Sequence, residues 1–530
     1  MTQEPAPYEA GLRSLELETS LADLPVEGRF PDWLEGTLLR NGPARFQVGE
    51  EPYRHWFDGH AMLHAFTLEA GTVSYRNRFL RSGTHDEAMA EGRIARSEFA
   101  TDPCRSIFGR VMAVFRPRVT DNANINVARL ARDFVALTET PLPIRFDPES
   151  LETLGHVEWA DELRGDITTA HPHVDPASGI LYSYLTHFSR TSTYRLWALE
   201  PGSRSRRELA SLPVDRPAYM HSFAMTGRHL VLSEFPLVVN PLEMALRDRP
   251  FIENYRWEPE RGTLYQVFDR KTGEHRATCR GPACFAFHHV NAFDDPDTGE
   301  VVLDLAAWDD ARIIDQLYLK RLRRASPELV AAEPRRLRLD LTAGTVRTRT
   351  LSTHRMELPR IAPGLEGRRH RYVWATGNRV PGHFTDELVK LDSDTGEVRT
   401  WHEPGCHPGE PVVVRPPASA PSGDGAGGNG SDLSGGTGSD GNGGTGSDGN
   451  GGTGSDGTGG GRGGNDRPDS RAEDAGVVLS VVLDARSESS FLLVLDAASL
   501  EERARARVPH AVPLGFHGQF FGRAGSAPRG

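Results

Sequence analysis

The sequence predicts an all-β fold, a seven-bladed β-propeller, from three observations. A strand–turn–strand unit recurs about seven times, more apolar strands lie between the copies, and both run from one end of the chain to the other. Each unit is a strand, a turn opening near an Asp or Glu, and a second strand. The clearest copies are LYQVFDRKTGEHRATC from Leu264, LVKLDSDTGEVRTW from Leu388 and FLLVLDAASLEERARARV from Phe491. Looser copies begin at Leu63, Ile144, Leu196 and Leu337. The apolar strands between them, such as ILYSYLTH from Ile180, EVVLDLAAW from Glu300 and GVVLSVVLD from Gly476, are expected to be the inner strands of the blades. Pattern alone leaves open a sandwich or barrel of unrelated hairpins.

From Pro417 the composition collapses to Gly, Ser, Asp, Asn and Thr, with GGTGSDGN at Gly435 and again at Gly443. The calcium-binding glycine-rich repeat has a nine-residue period and a large apolar residue in each copy, whereas this repeat is eight long and has none. A solvated loop is expected. Strand signals flank it (PVVV at Pro411, GVVLSVV at Gly476), so the chain reads as one domain over 1–530 with an insertion at about 417–475.

Bulk properties exclude several classes. With 73 acidic against 61 basic residues and a net charge of -12, the chain lacks the cationic excess of a general nucleic-acid binder. Cys104, Cys279, Cys284 and Cys406 form no CxxC pair, and read as reduced thiols. The first residues are polar, and no apolar run reaches the length of a membrane span, about 18 residues. A cytoplasmic protein is expected, and no protein partner is inferred.

Among 20 histidines, position discriminates. His171 in TAHPHVDPASGILYSY, His221 in MHSFAMTGRHLVLSEF and His288 in FHHVNAFDDPDTGEVVLDL each precede a turn and an apolar strand, and His517 in LGFHGQFF completes the set near the C-terminus. On equivalent blades such side chains meet at one axis. Neutral imidazoles suit iron, copper, nickel or zinc and disfavour Mg²⁺ and Ca²⁺. Any one of them alone reads equally as a satisfied core or turn residue. A separate possibility is an HxD pair, His173 and Asp175, of a two-histidine, one-carboxylate iron site, although that site belongs to a short jelly roll.

RNGP at Arg40, FDGHAMLH at Phe57, TDNANINV at Thr120, TAHPH at Thr169, HSF at His221, FHHVNAF at Phe287, MELPRI at Met356, GEPVVV at Gly409 and GFHG at Gly515 stand in the order of blocks in the carotenoid cleavage oxygenase family, which the chain resembles from Trp33 to Phe521 outside the insertion. The resemblance implies a helical and loop cap over an axial iron site, with one Fe²⁺ per subunit held by His171, His221, His288 and His517. It also implies three glutamates, Glu139, Glu357 and Glu410, each accepting an imidazole N–H and so fixing tautomer and ring direction. Glu139 lies on an apolar strand, where an unpaired carboxylate is costly.

The implied reaction is cleavage of a conjugated C=C bond of a carotenoid or apocarotenoid with O₂ into two carbonyl products. The family's stilbene cleavers carry a Lys just before the first glutamate and a Tyr upstream; Thr138 and Phe99 stand there, which favours carotenoid-like substrates and places both residues at the substrate pocket. SEFATDPC, TDNANINV and FHHVNAF are similar to segments of the animal β-carotene oxygenases and the retinal pigment epithelium isomerohydrolase, so isomerohydrolase chemistry stays open. So does stilbene cleavage. Two rivals lie outside the family: a propeller that binds ligands without catalysis, and a Ca²⁺-dependent lactonase with a carboxylate-rich axis.

A water-insoluble polyene calls for a surface that touches lipid. CRSIFGRVMAVFRPR from Cys104 interleaves Ile107, Phe108, Val111, Met112, Val114 and Phe115 with arginines, and a second apolar stretch carries Phe235 and Leu237. Peripheral membrane attachment is the expectation; a packed amphipathic helix gives the same pattern.

Overall fold

The structure is a computed structural model that describes residues 6–103, 120–246, 249–417 and 472–523. All the elements below belong to one compact unit, Met1–Pro416 with Glu473–Gly530. The glycine-rich insertion lies outside the described residues.

The seven hairpins expected from the sequence all form. Five of the seven turns share a cause: an Asp at the end of the first strand (Asp147, Asp269, Asp340, Asp392 or Asp496) turns its carboxylate back onto the loop. Asp269 Oδ1 accepts from the backbone N–H of Lys271 and Thr272 at 3.0 and 2.8 Å, Asp496 from Ala498 and Ser499 at 2.9 and 2.8 Å, and Asp340 from Thr342 and Ala343 at 2.9 Å each. That local bond competes with continuing the strand and so fixes where these hairpins fold.

The arrangement is all-β and propeller-like, but seven separate blades are not what forms. The described strands make five sheets of four to six strands, one of eight and two small two-stranded ones. The eight-stranded sheet contains two antiparallel meanders, residues 224–281 and 289–350, joined by one parallel pair, Arg280 with Thr345. A hairpin count from sequence misses this fusion, because a single cross-strand pairing leaves no periodic signal.

The ends of the chain are sewn together. Gly36–Arg45 pairs with Gly518–Gly522, and Val26–Gly28 pairs with Glu502–Val508, so a C-terminal strand completes an N-terminal sheet and an N-terminal strand completes a C-terminal one. Closure of this kind pairs backbone groups that would otherwise be an open edge.

The apolar strands expected to be innermost sit one place further out. Leu181–His187, His229–Glu234, Val301–Ala307, Tyr372–Gly377 and Val477–Asp484 each pair with a shorter terminal strand: His173–Val174, Ala224–Met225, His289–Asp294, Met356–Arg360 and Cys406–Pro408. Those short strands are too polar and brief to register as apolar runs.

Phe235 and Leu237 are 1% and 6% exposed and belong to the main core cluster, so neither offers lipid a surface. Their apolarity serves packing: Phe235 meets Phe285 at 5.8 Å between ring centroids, and Leu237 is in a strand paired with Arg256–Trp257. Ile107, Phe108, Val111, Met112 and Phe115 lie outside the described residues. Among the described residues no helix is long and apolar enough to cross a membrane. Cys279, Cys284 and Cys406 are buried free thiols.

Candidate metal centre

His171, His221, His288 and His517 come together from four places in the chain, with one nitrogen from each within 4.8 Å of the others. Among the described residues this is the one group of three or more potential ligands in such reach. The placement follows from the fold, since each histidine stands one to three residues before a short terminal strand: His173–Val174, Ala224–Met225, His289–Asp294 and Gly518–Gly522.

Three of the four rings are held by carboxylates. His221 Nδ1 donates to Glu139 Oε1 at 2.6 Å, His288 Nδ1 to Glu357 Oε2 at 2.6 Å, and His517 Nδ1 to Glu410 Oε1 at 2.7 Å. An ionised carboxylate only accepts, so these contacts put the proton on Nδ1 and leave the Nε2 lone pair facing inward. The Nε2 atoms of His288 and His517 then face each other at 3.2 Å. Lone pair against lone pair is repulsive, and a cation between them removes the repulsion. Burial draws His171 and His288 well below the ordinary imidazole value, and draws His517 down to about 4 against the opposing pull of Glu410. Neutral imidazoles with inward lone pairs are the donor set a first-row transition metal requires.

The three glutamates differ in surroundings. Glu410 is 1% exposed and also accepts from Arg40 at 2.9 Å, Arg360 at 2.8 Å and the Gly518 N–H at 3.0 Å. Burial would raise its carboxyl, but the charge of Arg360, the hydrogen bond from His517 and the charge of Arg40 hold it well below the usual carboxylate range. Glu139 accepts a second bond from Tyr219 Oη at 2.8 Å. Glu357 has no guanidinium: burial pushes it up to about 7, the Leu358 N–H opposes the rise, and its Oε1 is buried without a partner. Glu357 reaches the axis through irregular backbone, a register shift between Glu357 and Arg360 and a φ of 51° at Leu358. A non-glycine residue there costs on the order of 1–3 kcal/mol, the kind of strain that collects at functional sites.

Two hydroxyls tie the histidine segments to each other. Thr169 Oγ1 donates to the carbonyl of His221 at 2.6 Å and accepts from the N–H of His171 at 3.0 Å. Ser222 Oγ donates to the carbonyl of Phe287 at 2.6 Å, and His289 approaches it with its N–H at 3.1 Å and Nδ1 at 2.8 Å. The sequence reading passed over Arg40, Arg360, Tyr219, Thr169 and Ser222. Four of the five lie inside the sequence blocks that carried the family resemblance, and an arginine one step from GP or LP was the available signal.

The other histidine proposals find different uses. His173 Nε2 bonds the carbonyl of Phe223 at 2.8 Å, while Asp175 accepts from Ser178 in a turn at 2.6 Å, so the HxD pair does not join the cluster. A cavity of about 140 Å³ opens onto His221, His288 and His517, walled by aromatic side chains that include Trp56, Phe57, Phe287, Trp308 and Phe516. Phe99 and Thr138 do not line it. Phe99 packs behind Phe57 at 5.3 Å between centroids, and the buried Thr138 faces a separate small cavity beside Leu137 and Trp159.

A sequence profile of the retinal pigment epithelial membrane protein family matches residues 12–427 and 466–522. The mitochondrial carotenoid-cleaving dioxygenase of Macaca fascicularis is 32% identical over 94% of this chain and 91% of its own. The β,β-carotene 15,15′-dioxygenase of Gallus gallus is 30% identical over 94% of each. Among solved structures, cobalt-substituted Synechocystis apocarotenoid oxygenase superposes with a TM-score of 0.80 over 98% of both chains at 24% identity, a likeness of fold.

Proposed function

This chain belongs to the carotenoid cleavage oxygenase family, the family of the retinal pigment epithelial membrane protein, and from that premise we propose that it is a non-haem Fe²⁺ dioxygenase cleaving a conjugated C=C bond of a carotenoid or apocarotenoid. One observation carries the iron assignment: four imidazoles converge within 4.8 Å, three of them fixed through Nδ1 by buried carboxylates.

His171, His221, His288 and His517 would hold the Fe²⁺. When bound, Fe²⁺ supplies the redox chemistry that lets O₂ react with a closed-shell alkene, without an organic cofactor. The balance is one C=C bond and one O₂ consumed, two carbonyls formed, with no proton to move. That fits a centre where His221, His288 and His517 are each committed through Nδ1 to a carboxylate.

The rest of the work is positioning. Phe57, Phe287, Trp308 and Phe516 offer a polyene flat apolar walls and exclude water from it. A conjugated chain presents many similar bonds, so the bond held beside the imidazoles decides the products. The helices Arg312–Gln316 and Leu319–Leu322 and the loop after them bring Ile313, Leu317, Leu329 and Val330 to the cavity, and we assign them the role of its cap. We also treat the chain as a single catalytic domain carrying a glycine-rich insertion.

The test is anaerobic loading with Fe²⁺, followed by β-carotene and an apocarotenal in detergent micelles under ¹⁸O₂. Shortened aldehydes or ketones carrying ¹⁸O, absent from His288→Ala, are expected. An intact polyene with iron bound would overturn cleavage and leave a ligand-binding protein.

A further inference from the structure

The walls of this cavity are aromatic and aliphatic apart from the imidazole–carboxylate cluster, Thr376, whose hydroxyl donates to the carbonyl of Glu357 at 3.0 Å, and one other patch. That patch comes from the short segment between the strands Tyr372–Gly377 and Glu387–Asp392: Asn378, His383 and Thr385 all line the cavity and all are half-buried. Asn378 Nδ2 donates to the carbonyl of His383 at 3.0 Å, which fixes the carboxamide and leaves its oxygen free to accept. Among the described residues, neither the imidazole of His383 nor the hydroxyl of Thr385 has a hydrogen-bond partner, although nearly every other histidine described is bonded through its ring. Phe384, between them, is 8% exposed and stacks on Tyr8 at 4.9 Å and edge-on to Trp56 at 5.5 Å. The segment is further tied down by the N–H of Leu329 donating to the carbonyl of Gly382 at 2.8 Å. The polar groups therefore stand on an anchored wall.

We propose that Asn378, His383 and Thr385 form a subsite for an oxygen-bearing end group, and that the preferred substrate is a carotenoid or apocarotenoid with a hydroxyl or carbonyl on its terminal ring. The inference rests on the cleavage reading for the name of the substrate class; the subsite itself rests on the cavity wall. A hydrocarbon ring would displace water from an imidazole, an amide oxygen and a hydroxyl and return no hydrogen bond. A ring hydroxyl donates to one of these groups and accepts from another, since either imidazole tautomer and the threonine hydroxyl present both roles. Sites with polar groups awaiting a partner discriminate against ligands that lack it, and partial solvent exposure moderates the penalty here.

Trp56 and Trp308 line the same cavity, so quenching of tryptophan fluorescence by a bound polyene reports affinity without turnover. The experiment titrates the full chain in micelles with β-carotene and with zeaxanthin, which differ in ring hydroxyls, and runs both as competing substrates for the Fe²⁺-loaded protein. The wild type is expected to bind the hydroxylated polyene about two- to tenfold more tightly. That ratio should fall to about one in His383→Leu and, independently, in Thr385→Val, each variant being judged by its own ratio so that a loss of folded protein does not imitate the effect. Equal affinities in the wild type, or a preference that survives in both variants, overturn the subsite. Cleavage of both polyenes without preference removes the subsite and leaves the oxygenase standing; preferential quenching without any cleavage does the reverse.

Discussion

Replacing Glu410 with Gln tests whether one buried carboxylate both organises the metal centre and neutralises the cations beneath it. The side chain is 1% exposed and each oxygen accepts twice: Oε1 from His517 Nδ1 and Arg360 Nε, Oε2 from Arg40 Nη1 and the Gly518 N–H. A glutamine must turn its NH₂ towards one of these donor pairs, so two bonds are lost in either orientation. The side chains of Arg40 and Arg360, 7% and 25% exposed, would also lose their counter-charge. Leaving buried charge uncompensated costs about 3–5 kcal/mol. Loss of a carboxylate behind a ligating histidine lowers metal affinity or activity by about 10–100-fold. Urea unfolding of the metal-free protein followed by tryptophan fluorescence reads the first effect, and Co²⁺ titration by absorbance reads the second. Glu357→Gln is the control: it keeps the imidazole contact but faces no guanidinium, so it should weaken metal binding and cost the fold little. Destabilisation below about 1 kcal/mol in Glu410→Gln, or equal destabilisation in the two variants, would refute the assignment.

Other expectations follow from the same geometry. Ser222→Ala leaves the Phe287 carbonyl and His289 short of a partner, which costs about 1–3 kcal/mol, and loosens His221 against His288; a lower Co²⁺ affinity in folded protein would show the second effect. Chelation should abolish turnover while far-ultraviolet circular dichroism keeps its β signature, because the sheets are closed by strand pairing and not through the histidines. Phe287→Ala enlarges the cavity beside His221 and His288, and is expected to broaden the set of cleaved bonds as read by product masses. Asp304 accepts two bonds from Arg336 at 2.8 Å and has His370 at 3.1 Å; burial would raise its carboxyl, but Arg336 and then His370 hold it below the usual carboxylate range. A depressed folded value stabilises the protein above the unfolded carboxylate range and is lost as pH falls, so an acid titration of stability should drop below about pH 4, and Asp304→Asn should flatten that drop.

Much of this protein was legible in its sequence for a local reason. An Asp that caps its own turn, as at Asp269, Asp340 and Asp496, writes a hairpin into a few adjacent residues, and seven hairpins spread along the chain already imply an all-β fold. The four histidines and three glutamates were likewise readable, because each sits in a short block beside a strand. Tertiary structure alone decided what depends on contacts distant in the chain. It fused two meanders through the single pair Arg280–Thr345, drew Phe235 and Leu237 into the core, and set Thr138 behind the cavity wall while Glu139 faces the centre. It also brought Arg40 and Arg360, 320 positions apart, onto the same carboxylate. Apolarity in a sequence says that a side chain leaves water, not whether lipid or protein receives it, and charge says that a partner is needed, not which one; closing the ring answered both.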